Sequence, residues 1–191
     1  MSPNLYRLRS GIEASIHACQ EIWRDEPTEC LLQVDAQNAF NRLNRKVALH
    51  NIKQTCPAIH RFLLNHYQLP AKLTLSDDCQ HDNLYSEEGC TQGDPAAMAF
   101  YAVGVKPLIN KLAESVDKTK CKQCWFADDS SVAGKLREVR LWWEQLTILG
   151  PKYGYFPGPS KTILIIKDPS LNDEFSSTSK IMPSGMIPYI K

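Results

Sequence analysis

Apolar residues open the chain at helical spacing: Ile12, Ile16, Cys19 and Trp23 follow one another at intervals of 4, 3 and 4 residues and share one face. Ser10, with Glu13 three residues on, has the form of a capping box. From Glu29 to Ala36 the pattern changes to a short apolar run, Cys30, Leu31, Leu32 and Val34, which stops at Asp35 and has the length of a central strand. Helices are predicted over Asn44–Gln54 and Pro57–Tyr67, the second with proline in its first turn, where a missing N–H does no harm. Two strands, near Lys72–Leu75 and Asn83–Ser86, flank the polar Ser76–Asp82 segment as a hairpin. A long apolar helix over Pro95–Ser115, capped by Asp94, is expected to kink or end early at Pro107. Cys121–Ala127 and Ser130–Ala133 read as a second hairpin, Lys135–Leu149 as an amphipathic helix carrying Leu136, Val139, Trp142, Trp143 and Leu146, and Thr162–Lys167 as a last strand. Beyond Asp168 the chain turns Ser-, Asn- and Pro-rich, which predicts poor order.

This order of elements suits a small sheet with helices on one face, an α+β layout. The 191 residues fit one domain better than two. With 43% hydrophobic and 23% charged residues, the composition excludes disorder for most of the chain. The longest apolar stretch, Ala96 to Val105, falls far short of the roughly 20 residues of a membrane span, and the first ten residues lack the apolar centre of a signal peptide. Neither a membrane nor a secretory role is indicated. Seven scattered cysteines read as reduced thiols rather than a disulfide framework. Cys121 and Cys124 have metal or redox spacing, but a strand puts them on opposite faces, so packing thiols explain them better. The net charge of +1 conceals a distribution of +1 over residues 1–60, −4 over 61–95 and +4 over 96–191. The basic C-terminal half is compatible with a polyanion-binding face, and equally with ordinary solvated faces. Trp142 and Trp143, near Lys135, Arg137 and Arg140, fit either a nucleic-acid contact or one face of a core helix.

The chemistry concentrates at strand ends. Asp128 and Asp129 stand at the turn of a hairpin, where a polar β-turn alone would accommodate them. Asp35, ending an apolar strand, has no such explanation. Three acids from adjacent strand ends make an oxygen-rich pocket of the kind that hard divalent cations take, and two such ions stabilise both the attacking and the leaving oxygen of phosphoryl transfer. The segment Glu88-Gly-Cys-Thr-Gln-Gly-Asp-Pro95 adds a Gly-bounded loop at a helix N-terminus, a setting that favours an anion and that also fits an ordinary capped helix start.

At these residues the chain resembles the reverse transcriptase family, in particular the palm of retroelement RNA-directed DNA polymerases, and non-LTR or related eukaryotic elements more than retroviruses. Val34-Asp35 through Phe40 is similar to the first catalytic motif, Thr91-Gln92-Gly93-Asp94-Pro95 to the second, Phe126-Ala127-Asp128-Asp129 to the third, and Gly154 through Lys161-Thr162 to the fourth. All four occur in family order over about residues 29–167. Ser10 to His17 resembles the end of the fingers region more faintly.

The resemblance implies a polymerase palm, a small antiparallel sheet with helices packed on one face in the ferredoxin or RRM manner, preceded by a remnant of the fingers. Residues 1–28 would be that remnant, 29–167 the palm and 168–191 a poorly ordered tail. It further implies that Asp35, the Ala36 carbonyl, Asp128 and Asp129 hold two Mg²⁺ ions, or Mn²⁺ in their place, while a primer 3′-hydroxyl attacks the α-phosphate of a dNTP. Phe40 would lie beneath the sugar and exclude a 2′-hydroxyl, although a Phe after a strand is more often core. Gln92 and Gly93 would contact the nucleotide and template, and Lys161 the leaving pyrophosphate. The partners implied are an RNA template, a DNA primer and dNTP, in nucleus or cytoplasm, since no targeting signal is visible. The fingers are mostly absent, the thumb is not recognisable after Lys167, and the simplest account is a truncated copy in which catalytic residues persist whether or not activity does. The alternative reading is a non-catalytic nucleic-acid-binding remnant of a retroelement protein. Convergence of Asp35, Asp128 and Asp129 on one pocket is the geometric requirement of the polymerase reading.

Overall fold

A computed structural model describes residues 11–77, 80–168, 170 and 187–190. The apolar run that follows Glu29 is strand β1 (Cys30–Val34), and its position explains its composition. It is the middle strand of a five-stranded sheet of order β4-β5-β1-β6-β7, flanked antiparallel on both sides by β5 (Asp129–Gly134) and β6 (Ile163–Ile166). β4 (Cys121–Phe126) pairs antiparallel outside β5, closing the second hairpin. β2 (Ala71–Asp77) and β3 (Gln80–Ser86) form a separate two-stranded sheet, each extending beyond the range predicted for it.

Cys30, Leu32 and Val34 of β1 point into the main core with Trp125, Val132, Leu164 and Ile166. That face is covered by α3 (Arg45–Thr55), α5 (Ala97–Glu114) and α6 (Leu136–Tyr153), with α4 (Pro57–Tyr67) packed on α3. Trp142 and Trp143 are both buried, because α6 packs against both the sheet and α5, so the core explanation of that pair holds. Burial of rings this large removes some 150–250 Å² of surface each from water. One polar node sits among them: Gln123 Oε1 accepts hydrogen bonds from Trp142 Nε1 (2.7 Å) and Trp125 Nε1 (3.1 Å), while its Nε2 donates to the Ile109 carbonyl (2.8 Å).

α1 (Gly11–Arg24) lies against β4 and β5 on the opposite face. Cys124, which alternates with the core-facing Gln123 and Trp125, meets Ser15 Oγ at 3.1 Å. A hydrogen bond with Cys19 lowers the Cys124 thiol to about 6. Cys121 belongs to the main core, so the Cys-x-x-Cys pair is split between the two faces. Among the described residues no group of three His, Cys, Asp or Glu side chains is arranged to hold a metal ion.

Several boundaries depart from the sequence pattern. α5 runs unbroken through Pro107 to Glu114, because Val105, Leu108, Ile109 and Leu112 around it are buried and hold the helix in place. Asp94 stands three residues before α5: its Oδ1 accepts the Ala96 N–H (2.8 Å) in a turn, so the helix begins at Ala97 and not at Pro95. α6 continues past Leu149 to Tyr153 and is closed by Gly154. A four-residue helix, α2 (Ala39–Arg42), follows the Asp35 segment. β7 (Ile187–Ile190), inside the stretch read as a poorly ordered tail, pairs parallel with the open edge of β6; Pro188 is tolerated there because edge strands do not need every N–H. The remainder of that stretch, apart from Asp168 and Ser170, lies outside the described residues, as does Ser10.

Candidate active site

The register of the central strands builds the site. Val34 of β1 pairs with Ser130 of β5, and one further step along the two strands sets Asp35 opposite Asp129. Asp129 itself closes the β4–β5 ladder against Phe126, which leaves Ala127 and Asp128 as a two-residue tip. Ala127 holds φ +56°, a conformation that favours glycine at the first position of such a turn. The three acids named in the sequence therefore stand together at one end of the sheet.

Lys161 arrives from a 3₁₀ turn (Pro159–Lys161) and places its Nζ 3.2 Å from Asp35 Oδ2. The turn is stitched to the acid's backbone, since Gly158 N–H donates to the Asp35 carbonyl (2.7 Å) and Gln37 N–H to the Phe156 carbonyl (2.8 Å). These bonds bracket the Ala36–Pro157 bridge, so Ala36's own carbonyl points away from that bridge. The Asp129 carboxyl lies above its ordinary value: partial desolvation raises it first, then the charges of Asp128 and Asp35, against an opposing pull from Lys161. Asp129 thus feels the charges of the other three groups. Three carboxylates against one lysine leave surplus negative charge at this end of the sheet.

Beneath the tip lies Tyr155, which the sequence pattern did not single out. Its side chain is buried, its Oη is 3.0 Å from the Asp128 carbonyl and 3.1 Å from Ser130 Oγ, and burial pushes its phenol above the ordinary value. Gly154, just before it, takes φ +80° and packs so tightly on the Arg42 carbonyl that a Cβ has no room. The only sequence signal for this support is the Tyr153-Gly154-Tyr155-Phe156 cluster after an amphipathic helix.

The remaining predicted residues form a second layer. Phe40, half-buried in α2, stacks on Tyr101 with ring centroids 4.7 Å apart, and its carbonyl accepts the Cys90 N–H (2.7 Å). That bond ties the Gly89-Cys90 loop to the Asp35 segment, and Gln92 and Gly93 extend from it as an exposed turn. Gly93 has φ +88° and nothing within 4 Å of a Cβ position, so its backbone angle and not crowding calls for glycine. Asp94 anchors the turn through Tyr67 Oη and through His66 Nε2 at 3.1 Å. Partial burial alone would raise its carboxyl; Tyr67, the Ala96 amide and His66 outweigh that and hold it below the ordinary value. Buried Arg45, also unforeseen, secures the near side of the same loop, donating from Nε to the Gly89 carbonyl (2.6 Å) and from Nη1 to the Ser86 carbonyl (2.9 Å).

Sequence and fold comparisons give the chain's family and its structural likenesses. The family model described as reverse transcriptase (RNA-dependent DNA polymerase) matches residues 1–149, and the chain belongs to that family. No curated protein sequence matches it. Among solved structures, the fold is similar to apo telomerase of Candida tropicalis (TM-score 0.66, 13% identity, covering 83% of this chain and 33% of that one). It is also similar to the same telomerase truncated from its C-terminal domain (TM-score 0.65, 14% identity, 82% and 35%). Telomerase from Candida albicans in complex with a TWJ fragment of telomeric RNA gives a TM-score of 0.56 at 13% identity, covering 85% and 31%. The chain thus spans about a third of the telomerase chains it matches.

Proposed function

We propose that the chain is the palm of an RNA-directed DNA polymerase, with residues 29–167 as that palm, α1 as a remnant of the fingers and, on the motif pattern, a retroelement origin. The observation that carries the reading is the register that sets Asp35 beside Asp128 and Asp129 with Lys161 paired to Asp35. Asp35, Asp128, Asp129 and the Ala36 carbonyl would hold divalent magnesium, which their oxygen-only chemistry suits, although among the described residues the acids are not drawn together as a ready set of three ligands. The chemistry the ion would supply there is a lowered pKa for a primer 3′-hydroxyl and neutralised charge on a leaving pyrophosphate. Lys161, with its head mostly exposed, is placed to leave Asp35 for a triphosphate that carries more negative charge. Phe40 is held from behind by Tyr101 and presents a rigid ring after the acid, as a sugar-selecting contact requires. The Gln92-Gly93 turn, firmly anchored by Asp94 and Arg45, offers exposed backbone to a template base or nucleotide. RNA template, DNA primer and dNTP are the corresponding ligands.

Primer extension on an RNA template with Mg²⁺, comparing the intact chain with Asp128→Asn, tests the reading. Loss of at least a hundredfold in rate is expected on the scale of removing a charge-stabilising catalytic group; an unchanged rate removes Asp128 from the site. A non-catalytic nucleic-acid-binding role is the second reading, and the feature in its favour is the basic C-terminal half, +4 over residues 96–191. Salt-dependent binding with no incorporation by the intact chain would select it.

A further inference from the structure

The Asp128 tip is an unstable thing to build. A two-residue loop with an L-alanine at φ +56° and adjacent carboxylates has no local reason to keep one conformation. Yet a site that orients two acids against Asp35 requires one. The support comes from behind the sheet. Tyr155 follows the end of α6, where its N–H donates to the Gly150 carbonyl (3.0 Å), and its ring meets Trp125 edge-on at 5.4 Å. The phenol is therefore fixed by helix and core before it touches the hairpin.

Its hydroxyl carries a single proton. That proton goes to the Asp128 carbonyl, the acceptor at 3.0 Å that has none to give, so the Ser130 hydroxyl at 3.1 Å must donate to the phenol oxygen. The two bonds form a directed chain, Ser130 to Tyr155 to Asp128, that spans the tip from its ladder side to its apex. Ser130 is buried and pairs with Val34, the residue before Asp35. One phenol oxygen thus references the position of Asp128 to the strand that carries Asp35.

We infer that Tyr155 is a positioning residue of the acid cluster: by holding the Asp128 carbonyl it sets the direction of the Asp128 carboxylate relative to Asp35, with Ser130 as the second point of the clamp. This rests on the polymerase reading for what the positioned acids do, and not for the clamp itself.

Tyr155→Phe removes only the oxygen. Amide hydrogen exchange is to be measured by NMR on the intact chain and on the variant, together with Mn²⁺ titration by paramagnetic broadening and steady-state primer extension. In the variant, amides of residues 127–130 are expected to exchange about tenfold faster, the effect of one lost hydrogen bond, with α3 and α5 unchanged. Mn²⁺ affinity and kcat should fall while KM for dNTP stays the same. Equal exchange at the tip in both proteins overturns the clamp, and so does faster exchange spread evenly over the whole fold, which marks a merely structural tyrosine. A loosened tip with undiminished Mn²⁺ affinity and kcat overturns the positioning role. If the intact chain extends no primer while the tip loosens and Mn²⁺ affinity drops in Tyr155→Phe, the polymerase reading fails and the clamp stands. Should Tyr155→Phe not fold, Ser130→Ala decides in its place: unchanged tip exchange in that variant overturns the inference.

Discussion

Ala127 holds a backbone angle of φ +56° that costs an L-residue roughly 1–2 kcal/mol, and nothing but its place between Phe126 and Asp128 obliges it to do so. Ala127→Gly is accordingly expected to stabilise the fold by about 1 kcal/mol in chemical denaturation, whereas Ala127→Val should destabilise it; a destabilising glycine would contradict the assignment of strain. Two acids, Asp129 beside it and Asp94 in the turn before α5, titrate with opposite consequences. Asp129 is raised above its ordinary 3.8, so the stability it contributes is full below that value and is lost as pH rises through its folded value. Asp129→Asn should therefore raise the melting temperature at pH 7 and lose that advantage below 3.8. Asp94 is lowered, so its contribution is present above 3.8 and disappears as pH falls through its folded value, and Asp94→Asn should flatten the acid limb. Melting curves from pH 2 to 8 for both variants check the two signs, and parallel profiles would refute the pairing. At this scale the acids themselves were legible in the sequence, because a charge that ends an apolar strand needs a reason. Tyr155 and Arg45 were not, since their partners lie across the fold and leave no local spacing to read.

Among the elements, α5 carries a proline deep in its interior, whereas the proline of α6, Pro151, lies in its last turn. Pro107 removes a backbone donor and crowds the preceding turn, yet the helix persists because its buried residues on either side of the proline outweigh the penalty. Pro107→Ala should restore the bond and stabilise the chain by about 1–3 kcal/mol in urea denaturation; no gain would mean that a bend at this point is required by packing. Periodicity identified the long helices because each buries one stripe, and their ends drifted because ends are set by caps and tertiary contacts. α2 escaped for a different reason: four residues are barely one turn and carry no period. The same holds for the 3₁₀ turn that delivers Lys161, whose bond to Asp35 depends on chain folding back over more than a hundred intervening residues. β7 lies inside the Ser- and Pro-rich stretch whose composition predicts poor order; its partner, the open edge of β6, is something composition does not reveal.

For the molecule as a whole, a net charge of +1 limits how strongly it grips a polyanion. If one or two phosphates are neutralised, affinity for a primer–template should fall only about tenfold between 50 and 200 mM salt, far less than for a protein making many phosphate contacts. A steep salt dependence by fluorescence anisotropy would reveal a concentrated basic groove and overturn this estimate. Among the described residues, no helix is long and apolar enough to cross a membrane. The central place of β1 has a consequence in time as well as in space. Leu32 pairs with Val132 on one side and Leu164 on the other, so β1, the earliest of the described strands in the chain, is enclosed only once β6 has formed. Folding must await nearly the whole described sequence, and such non-local closure is slow. During translation, the strand leading to Asp35 would emerge with both hydrogen-bonding edges open, making the nascent chain a natural client for chaperones that shield apolar β-segments.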